Sequence, residues 1–368
     1  MKTGIKTINV MVNNACNLNC PHCDLPTKYT TKSKNKKGLS VIEWTNLLDK
    51  ILPQIKPEIL AVASREPLMP HSQTKTVAIM EAGARHNVHS CGFVTNGYFA
   101  KEFWNKYPHL FVDYMDISVD GPPEINAKTR GPEHFSLVEN FLKSRTCCDK
   151  VGKIFISTAL TKWTAQRETL YYFLDWVKKT LDKPRLVLLV LYPNEHVDKT
   201  LHVEDEDFLK VLDLLIEESK NFEDLFLDMF PSSLPGLAKM TENGTFPKGK
   251  EFVRDNSGML YGHIAENLYL RVENRSDLGK YHLRISPEGY VIPVNSVEKT
   301  DYLHGNYGNL LRESWDTINK RLVSMSCKAL PAVCVGRPCA SVCNGENNRC
   351  QVLAKSLIKK GVMRYGKS

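Results

Sequence analysis

The chain has 368 residues and a net charge of +8, with 42% hydrophobic and 24% charged residues. This is the composition of an ordinary globular protein, long enough for a large domain plus a smaller one, and it excludes global disorder and low-complexity architectures. The longest apolar run, Leu186 to Tyr192, suits a buried strand but is too short to cross a membrane, and the opening MKTGIKTINVMV lacks the apolar core of a signal peptide. A cytoplasmic protein with no membrane segment is expected.

From residue 6 to about 220, short apolar runs alternate with helical periods. Strands are expected at Ile8–Val12, Ile59–Ala63, Cys91–Thr95, Tyr114–Val119, Lys153–Thr158 and Leu186–Leu191. Helices are expected near 40–52, 74–86, 98–107, 133–145, 164–181 and 204–221. Ser40 and Glu43 form the capping-box pattern at the start of the first helix. Leu170, Phe173, Leu174, Val177 and Leu181 put one apolar face on the fifth. Strand–helix units in a row imply parallel strands joined by right-handed crossovers, so the fold class is α/β, a partial (β/α)6 TIM-like barrel, with chemistry at the C-terminal strand ends. After about 225, Pro231, Pro235, Gly236, Gly244, Pro247 and Gly249 break the pattern. Two short strands are then expected to meet around Ser286–Gly289, with a helix near 311–324 beyond them. The reading is two units, 1–225 and a small α+β module over 226–368.

Lys28, Lys32, Lys34, Lys36 and Lys37 form one basic run, and Lys355, Lys359, Lys360, Arg364 and Lys367 form another. Such runs could hold an acidic peptide, a phosphate or nucleic acid, but both read first as solvated segments. No aromatic ladder accompanies them, which argues against nucleic acid.

The eleven cysteines are an odd number, which with no secretory signal disfavours a disulfide framework. Cys16, Cys20 and Cys23 cluster directly after the first strand. Cys327, Cys334, Cys339, Cys343 and Cys350 cluster near the end, and Cys91, Cys147 and Cys148 read as isolated small residues. Clustering of this kind points to metal. A structural zinc would need His22 as fourth ligand to Cys16, Cys20 and Cys23. A [4Fe–4S] cluster with three thiolates instead leaves one iron open to a cofactor.

Cys16-x3-Cys20-x2-Cys23 after the first strand resembles the signature of the radical S-adenosylmethionine (SAM) superfamily. In that family the open iron chelates SAM, and the reduced cluster cleaves it to a 5′-deoxyadenosyl radical that abstracts hydrogen from a substrate. Ser64-Arg65-Glu66-Pro67 keeps the Glu-Pro of the family's Gly-Gly-Glu-Pro segment, which meets the SAM amino group, but replaces both glycines. Thr95-Asn96-Gly97 resembles the ending of the family's third strand. Ser118-Val-Asp120-Gly121-Pro122 with Arg130-Gly131 is similar to the peptide- and protein-modifying branch. The resemblance implies that Ser118 and Arg130 hold the SAM carboxylate, that Thr158 and Leu191 adjoin ribose and adenine, and that His22, Glu66 and Asn96 also lie at the cofactor.

The cysteine-rich tail resembles a SPASM or twitch extension, which makes the C-terminal module an iron–sulfur module. Val294 stands where a first auxiliary cluster would take a cysteine, while Gly308-Asn309 through Trp315 matches the usual continuation. The resemblance thus implies one auxiliary [4Fe–4S] cluster on Cys327, Cys334, Cys339 and Cys350, with Cys343 left over. Cys334, Cys339, Cys343 and Cys350 is the rival set, and a structural zinc there is the other option. The expected activity is hydrogen abstraction from a peptide or protein, giving a crosslink, an epimer or an oxidised residue, with a flavodoxin- or ferredoxin-type electron donor. The alternatives are a small-molecule substrate such as an aminosugar or nucleoside, and a zinc-stapled binding protein. No catalytic acid, base or hydrogen donor is assignable from sequence.

Overall fold

The structure, a computed structural model, describes residues 4–23, 38–63, 65–191, 197–229, 252–254, 260–272, 282–292 and 307–326. Strands and helices alternate: β1 (Thr7–Val10), α1 (Val41–Ile55), β2 (Ile59–Val62), α2 (Gln73–Arg85), β3 (Ser90–Thr95), α3 (Ala100–Lys106) and β4 (Val112–Ser118). Three helices, α4 (Pro123–Arg130), α5 (His134–Leu142) and α6 (Arg145–Lys150), precede β5 (Val151–Leu160); α7 (Arg167–Thr180), β6 (Arg185–Val190), α8 (Asp205–Glu218) and β7 (Asp224–Met229) follow. The remaining described elements are β8 (Phe252–Arg254), β9 (Leu260–Ala265), β10 (Leu268–Val272), β11 (His282–Ile285), β12 (Tyr290–Ile292), β13 (Gly308–Asn309) and α9 (Trp315–Ser326).

The expected elements through β6 are present, with ends shifted by a few residues. The capping box forms: Glu43 N–H donates to Ser40 Oγ at 3.2 Å, and Ser40 N–H donates back to the Glu43 carboxylate at 2.8 Å. The single helix expected over 133–145 is instead interrupted. Ser144 leaves helical geometry and caps α6, its hydroxyl accepting from Cys147 N–H at 3.3 Å.

The thirteen strands among the described residues belong to one sheet, in the order β13-β12-β11-β1-β2-β3-β4-β5-β6-β7-β10-β9-β8. The strands from β11 through β1–β7 to β10 pair in parallel. The barrel does not close, because its edges are taken by antiparallel β12 and β9 rather than by each other. The expected boundary at 225/226 falls inside β7, and later strands extend the sheet at both edges. The two strands expected around Ser286–Gly289 are β11 and β12, with Gly289 at φ +82° closing their turn.

Side chains alternate across each strand. One set, including Ile8, Val10, Leu60, Val62, Met115, Ile117, Ile156, Leu186, Leu188, Leu225 and Leu227, joins Trp44, Leu48, Phe103, Phe141 and Phe173 of the helices in a single core. Sequential parallel strands with right-handed crossovers place the helices on that side. The other face, bearing Asp116, Ser118, Phe155 and Ser157, is left for function, and β1 delivers residues 11–23 to the C-terminal strand ends.

Gly83 of α2 lies so close to the sheet that an added Cβ would stand 2.4 Å from Cys91 Sγ and 3.0 Å from Leu60 Cδ2. Cys91 is buried, and burial pushes its thiol up to about 12, so it acts as a packing residue. Gly83→Ala is expected to cost about 2 kcal/mol through overpacking. Adding Cys91→Ala should recover part of that loss, because the two sites share one contact. Denaturant unfolding of the two single variants and the double variant measures the coupling.

Candidate active site

The loop after β1 is held by its own asparagines. Asn13 Oδ1 accepts Ala15 N–H at 2.7 Å, while its Nδ2 donates to Glu66 O at 2.8 Å and to Ser72 Oγ at 2.7 Å. Glu66 N–H returns a bond to Ala15 O at 3.1 Å. These bonds lash the segment just ahead of Cys16 to the loop after β2. Cys16 Sγ accepts from Leu18 N–H at 3.4 Å and from Asn96 Nδ2 at 3.8 Å, and Asn96 Nδ2 also donates to Asn17 Oδ1 at 2.9 Å. Cys23 N–H closes a turn onto Cys20 O at 3.1 Å.

All three cysteines are partly exposed, and none is in a disulfide. Burial raises the Cys16 thiol, and it pushes Cys20 up to about 11 although Arg130 pulls the other way. Without metal these sulfurs hold their protons, so metal uptake must expel them. Arg130 acts electrostatically on all three.

Glu66 is fully buried, and its carboxylate accepts from Thr95 Oγ1 at 2.6 Å, Asn96 N–H at 2.7 Å and Leu68 N–H at 2.8 Å. Burial pushes it up to about 7 against the pull of those donors. Its side chain therefore ties the ends of β2 and β3 together. Asn96 is fixed a second time, because His134 Nε2–H donates to its carbonyl at 2.6 Å. His134 Nδ1 accepts from Asn126 Nδ2 at 3.0 Å, and Asn126 Oδ1 accepts Asp120 N–H at 3.0 Å. That last bond bars a flip of the Asn126 amide, so His134 is held as the neutral Nε2–H tautomer. Burial and then Arg130 lower its pKa to about 4.

Asp120 is fully buried and receives a fork from Arg130, Nε to Oδ2 at 2.6 Å and Nη2 to Oδ1 at 3.1 Å. Ala159 N–H adds a third bond to Oδ1 at 3.1 Å, and His22 Nε2 lies 3.4 Å from Oδ2. Burial alone would raise this carboxyl, but Arg130, His22 and Ala159 together hold it far below the carboxylate range. The same pairing raises Arg130 beyond its ordinary value.

The structure thus brings together Cys16, Cys20, Cys23, His22, Glu66, Asn96 and Arg130. Ser118 ends β4, half-buried on the face opposite the described helices. Thr158 alternates with Ile156 and Leu160, so it sits on the helix side of β5, while Ser157 shares the face of Ser118. Leu191 follows β6 in a small cluster with Ala159, Val197 and Leu201. Cys327, Cys334, Cys339, Cys343 and Cys350 lie outside the described residues, as do Val294 and both lysine runs. Nothing in the sequence singles out Asn126 or His134, and Asn13 and Asn17 are marked only by their nearness to Cys16.

The residues fit an iron–sulfur cluster. Three soft donors share one loop, two N–H groups already point at one sulfur, and a fixed cation stands near all three. Among the described residues, no three His, Cys, Asp or Glu side chains converge on a single ion. A cluster takes one thiolate per iron and needs no such convergence.

Residues 10–146 match the Radical SAM superfamily profile. No curated protein matches the sequence of the chain. Native anSMEcpe with bound AdoMet and Cp18Cys peptide is similar at a TM-score of 0.54 and 16% identity, over 88% of this chain and 84% of that one. Streptococcus suis SuiB bound to S-adenosylmethionine is similar at 0.53 and 12% identity, over 85% of this chain and 65% of SuiB. SuiB bound to precursor peptide SuiA gives 0.55 and 11%, over 86% and 65%. The chain thus spans a little under two thirds of SuiB, and these likenesses are of fold. No helix among the described residues is long and apolar enough to cross a membrane.

Two outcomes follow from the buried network. Asp120→Asn leaves the Arg130 charge without its partner and should cost about 3–5 kcal/mol in denaturant unfolding of the metal-free protein. His134 titrates at about 4 in the fold against 6.5 ordinarily. The unfolded chain therefore binds this proton first as pH falls, and stability drops between those values by up to about 3 kcal/mol. Unfolding midpoints across that range should show the slope, and His134→Gln should remove this component of it.

Proposed function

We propose that the chain, whose residues 10–146 match the Radical SAM superfamily, is a radical SAM enzyme that abstracts a hydrogen atom from a peptide or protein substrate. Cys16, Cys20 and Cys23 would hold a [4Fe–4S] cluster with SAM as the remaining ligand. When bound, this pair supplies a 5′-deoxyadenosyl radical, the chemistry that the protein itself lacks.

The chain's own residues orient and insulate that site. Leu18 N–H and Asn96 Nδ2 stabilise the Cys16 thiolate. Arg130, locked by Asp120, favours negative charge on the sulfurs and, with Ser118, on the SAM carboxylate. His22 lies against Asp120 beside this cation. Glu66 keeps the segment facing the SAM amine in place through backbone ties rather than through a free carboxylate. Leu191 and the end of β5 line the side assigned to adenine and ribose, with Ala159 in contact with Leu191. A flavodoxin- or ferredoxin-type donor supplies the electron.

The observation that carries the reading is the cysteine triplet at the C-terminal end of β1, bonded to Asn96 and within the field of Arg130. A peptide substrate is supported by the Ser118-Val-Asp120-Gly121-Pro122 segment and by the anSMEcpe and SuiB folds, whose structures hold peptides. One auxiliary [4Fe–4S] cluster on Cys327, Cys334, Cys339 and Cys350 completes the proposal.

Anaerobically reconstituted protein should be brown, absorb near about 400 nm as iron–sulfur thiolates do, and cleave SAM to 5′-deoxyadenosine under a strong reductant. Cys16→Ala should abolish that cleavage, and a colourless zinc-loaded protein would sink the reading. Iron should number about eight per chain, falling to about four in Cys334→Ala. Cys327→Ala should lose the same share and Cys343→Ala none; the reverse pattern selects the rival ligand set.

A further inference from the structure

The face of the sheet opposite the described helices carries two polar groups that nothing described so far uses. Asp116 on β4 and Ser157 on β5 share this face, because Asp116 registers with Phe155 and Ser118 with Ser157. The intervening Met115, Ile117 and Ile156 belong to the helix-side core. Ser157 is 3% exposed, and neither its Oγ nor Asp116 Oδ1 has a hydrogen-bond partner. The Ser157 hydroxyl is close enough to the Asp116 carboxyl to favour its charged form. Buried polar atoms left open in this way need a reason, and a ligand that completes them is one.

The neighbours sharpen what such a ligand is. Arg271 of β10 is within electrostatic reach of Asp116 but is committed elsewhere. Its guanidinium forks onto Asp228, with Nη2 to Oδ2 at 2.8 Å, and lies 4.1 Å over the Phe226 ring. Phe226 in turn stacks on Tyr269 at 5.4 Å and stands 6.5 Å from Phe155. Asp116 thus borders an aromatic wall and retains an unused acceptor. Arg130, which acts on the three cysteine sulfurs, acts on Asp116 as well. Arg130 is thus within electrostatic reach of both Asp116 and the cysteine loop. Burial pushes Asp116 up to about 6, so a hydrogen-bond donor that completes it also relieves an unfavourable charge.

We infer that Asp116 and Ser157 form a substrate-positioning subsite, accepting hydrogen bonds from a hydroxyl or carboxamide on the peptide residue that loses hydrogen, with Phe155, Phe226 and Tyr269 against its apolar part. This rests on the peptide reading above. It adds a chemical class for the substrate residue and two positioning side chains.

The test uses the reconstituted full chain with acetylated tripeptide amides, Gly-Ser-Gly and Gly-Asn-Gly as donors and Gly-Ala-Gly as reference. Stimulation of 5′-deoxyadenosine formation is titrated against each. The wild type should half-saturate at about tenfold lower concentration with the donor peptides, the worth of one well-made hydrogen bond. Asp116→Ala and Ser157→Ala should bring that ratio close to one, and Ser157→Thr, which keeps the hydroxyl, should retain it. Loss of packing alone would not change discrimination between peptides. Ser157→Ala, a one-atom deletion, carries the test should Asp116→Ala fail to fold. Equal response of the wild type to donor and reference peptides overturns the subsite, as does undiminished discrimination in the Ser157→Ala variant. A wild type that cleaves SAM but answers to no peptide overturns the peptide reading, and the subsite falls with it.

Discussion

The buried pair of Asp120 and Arg130 is the interaction on which the site depends. A carboxylate and a guanidinium removed from water lose solvation that only close geometry repays. Here the fork is bidentate, and Ala159 N–H adds a bond from the neighbouring strand. The pair therefore locks α4 to the ends of β4 and β5. It also leaves a permanent positive charge within reach of Cys16, Cys20 and Cys23. A cluster bound by three thiolates brings concentrated negative charge to a half-buried loop, and a cation fixed in advance lowers the cost of holding it there.

That cation would be of little use if the loop were free to drift. Asn13, Glu66 and Asn96 prevent this through bonds that cross between the ends of β1, β2 and β3. Parallel strands with crossovers on one side deliver these residues to the same end of the sheet, so each tie is short. His134 reinforces Asn96 from outside while staying neutral. A charged imidazole there would face both Arg130 and the Asn126 amide, and the network would no longer be satisfied.

Much of this was legible in the sequence, for identifiable reasons. The strands through β6 show themselves by apolar runs, and α1 by Ser40 and Glu43, because both signals are local. The Ser286–Gly289 turn is local too. The parallel pairing of β11 with β1 is not, since it joins residues far apart and leaves no periodic trace. Asp224–Met229 alternates as a strand should, but it lies at the expected domain boundary, where the strand–helix pattern breaks off. At the site, Cys16, Cys20 and Cys23 announce themselves by spacing and Asn96 by its place after β3. The consumption of the Glu66 carboxylate by three donors depends on burial, which spacing does not report. Thr158 illustrates the opposite case. Ile154, Ile156 and Leu160 already mark its face as the apolar one, so strand alternation singles out Ser157 as the residue beside Ser118.

The two faces of β4 and β5 then impose different demands on the same short segment. On the helix side, Met115, Ile117 and Ile156 need close packing, and the sheet's stability comes from them. On the other side, the buried atoms Asp116 Oδ1 and Ser157 Oγ lack hydrogen-bond partners, an arrangement that weakens the fold. The sheet can carry that weakness because its core lies on the side of the described helices. The strain falls where a substrate, held near Arg130 and the cysteine loop, would supply the missing donors, so binding and local stability become coupled through the same two side chains.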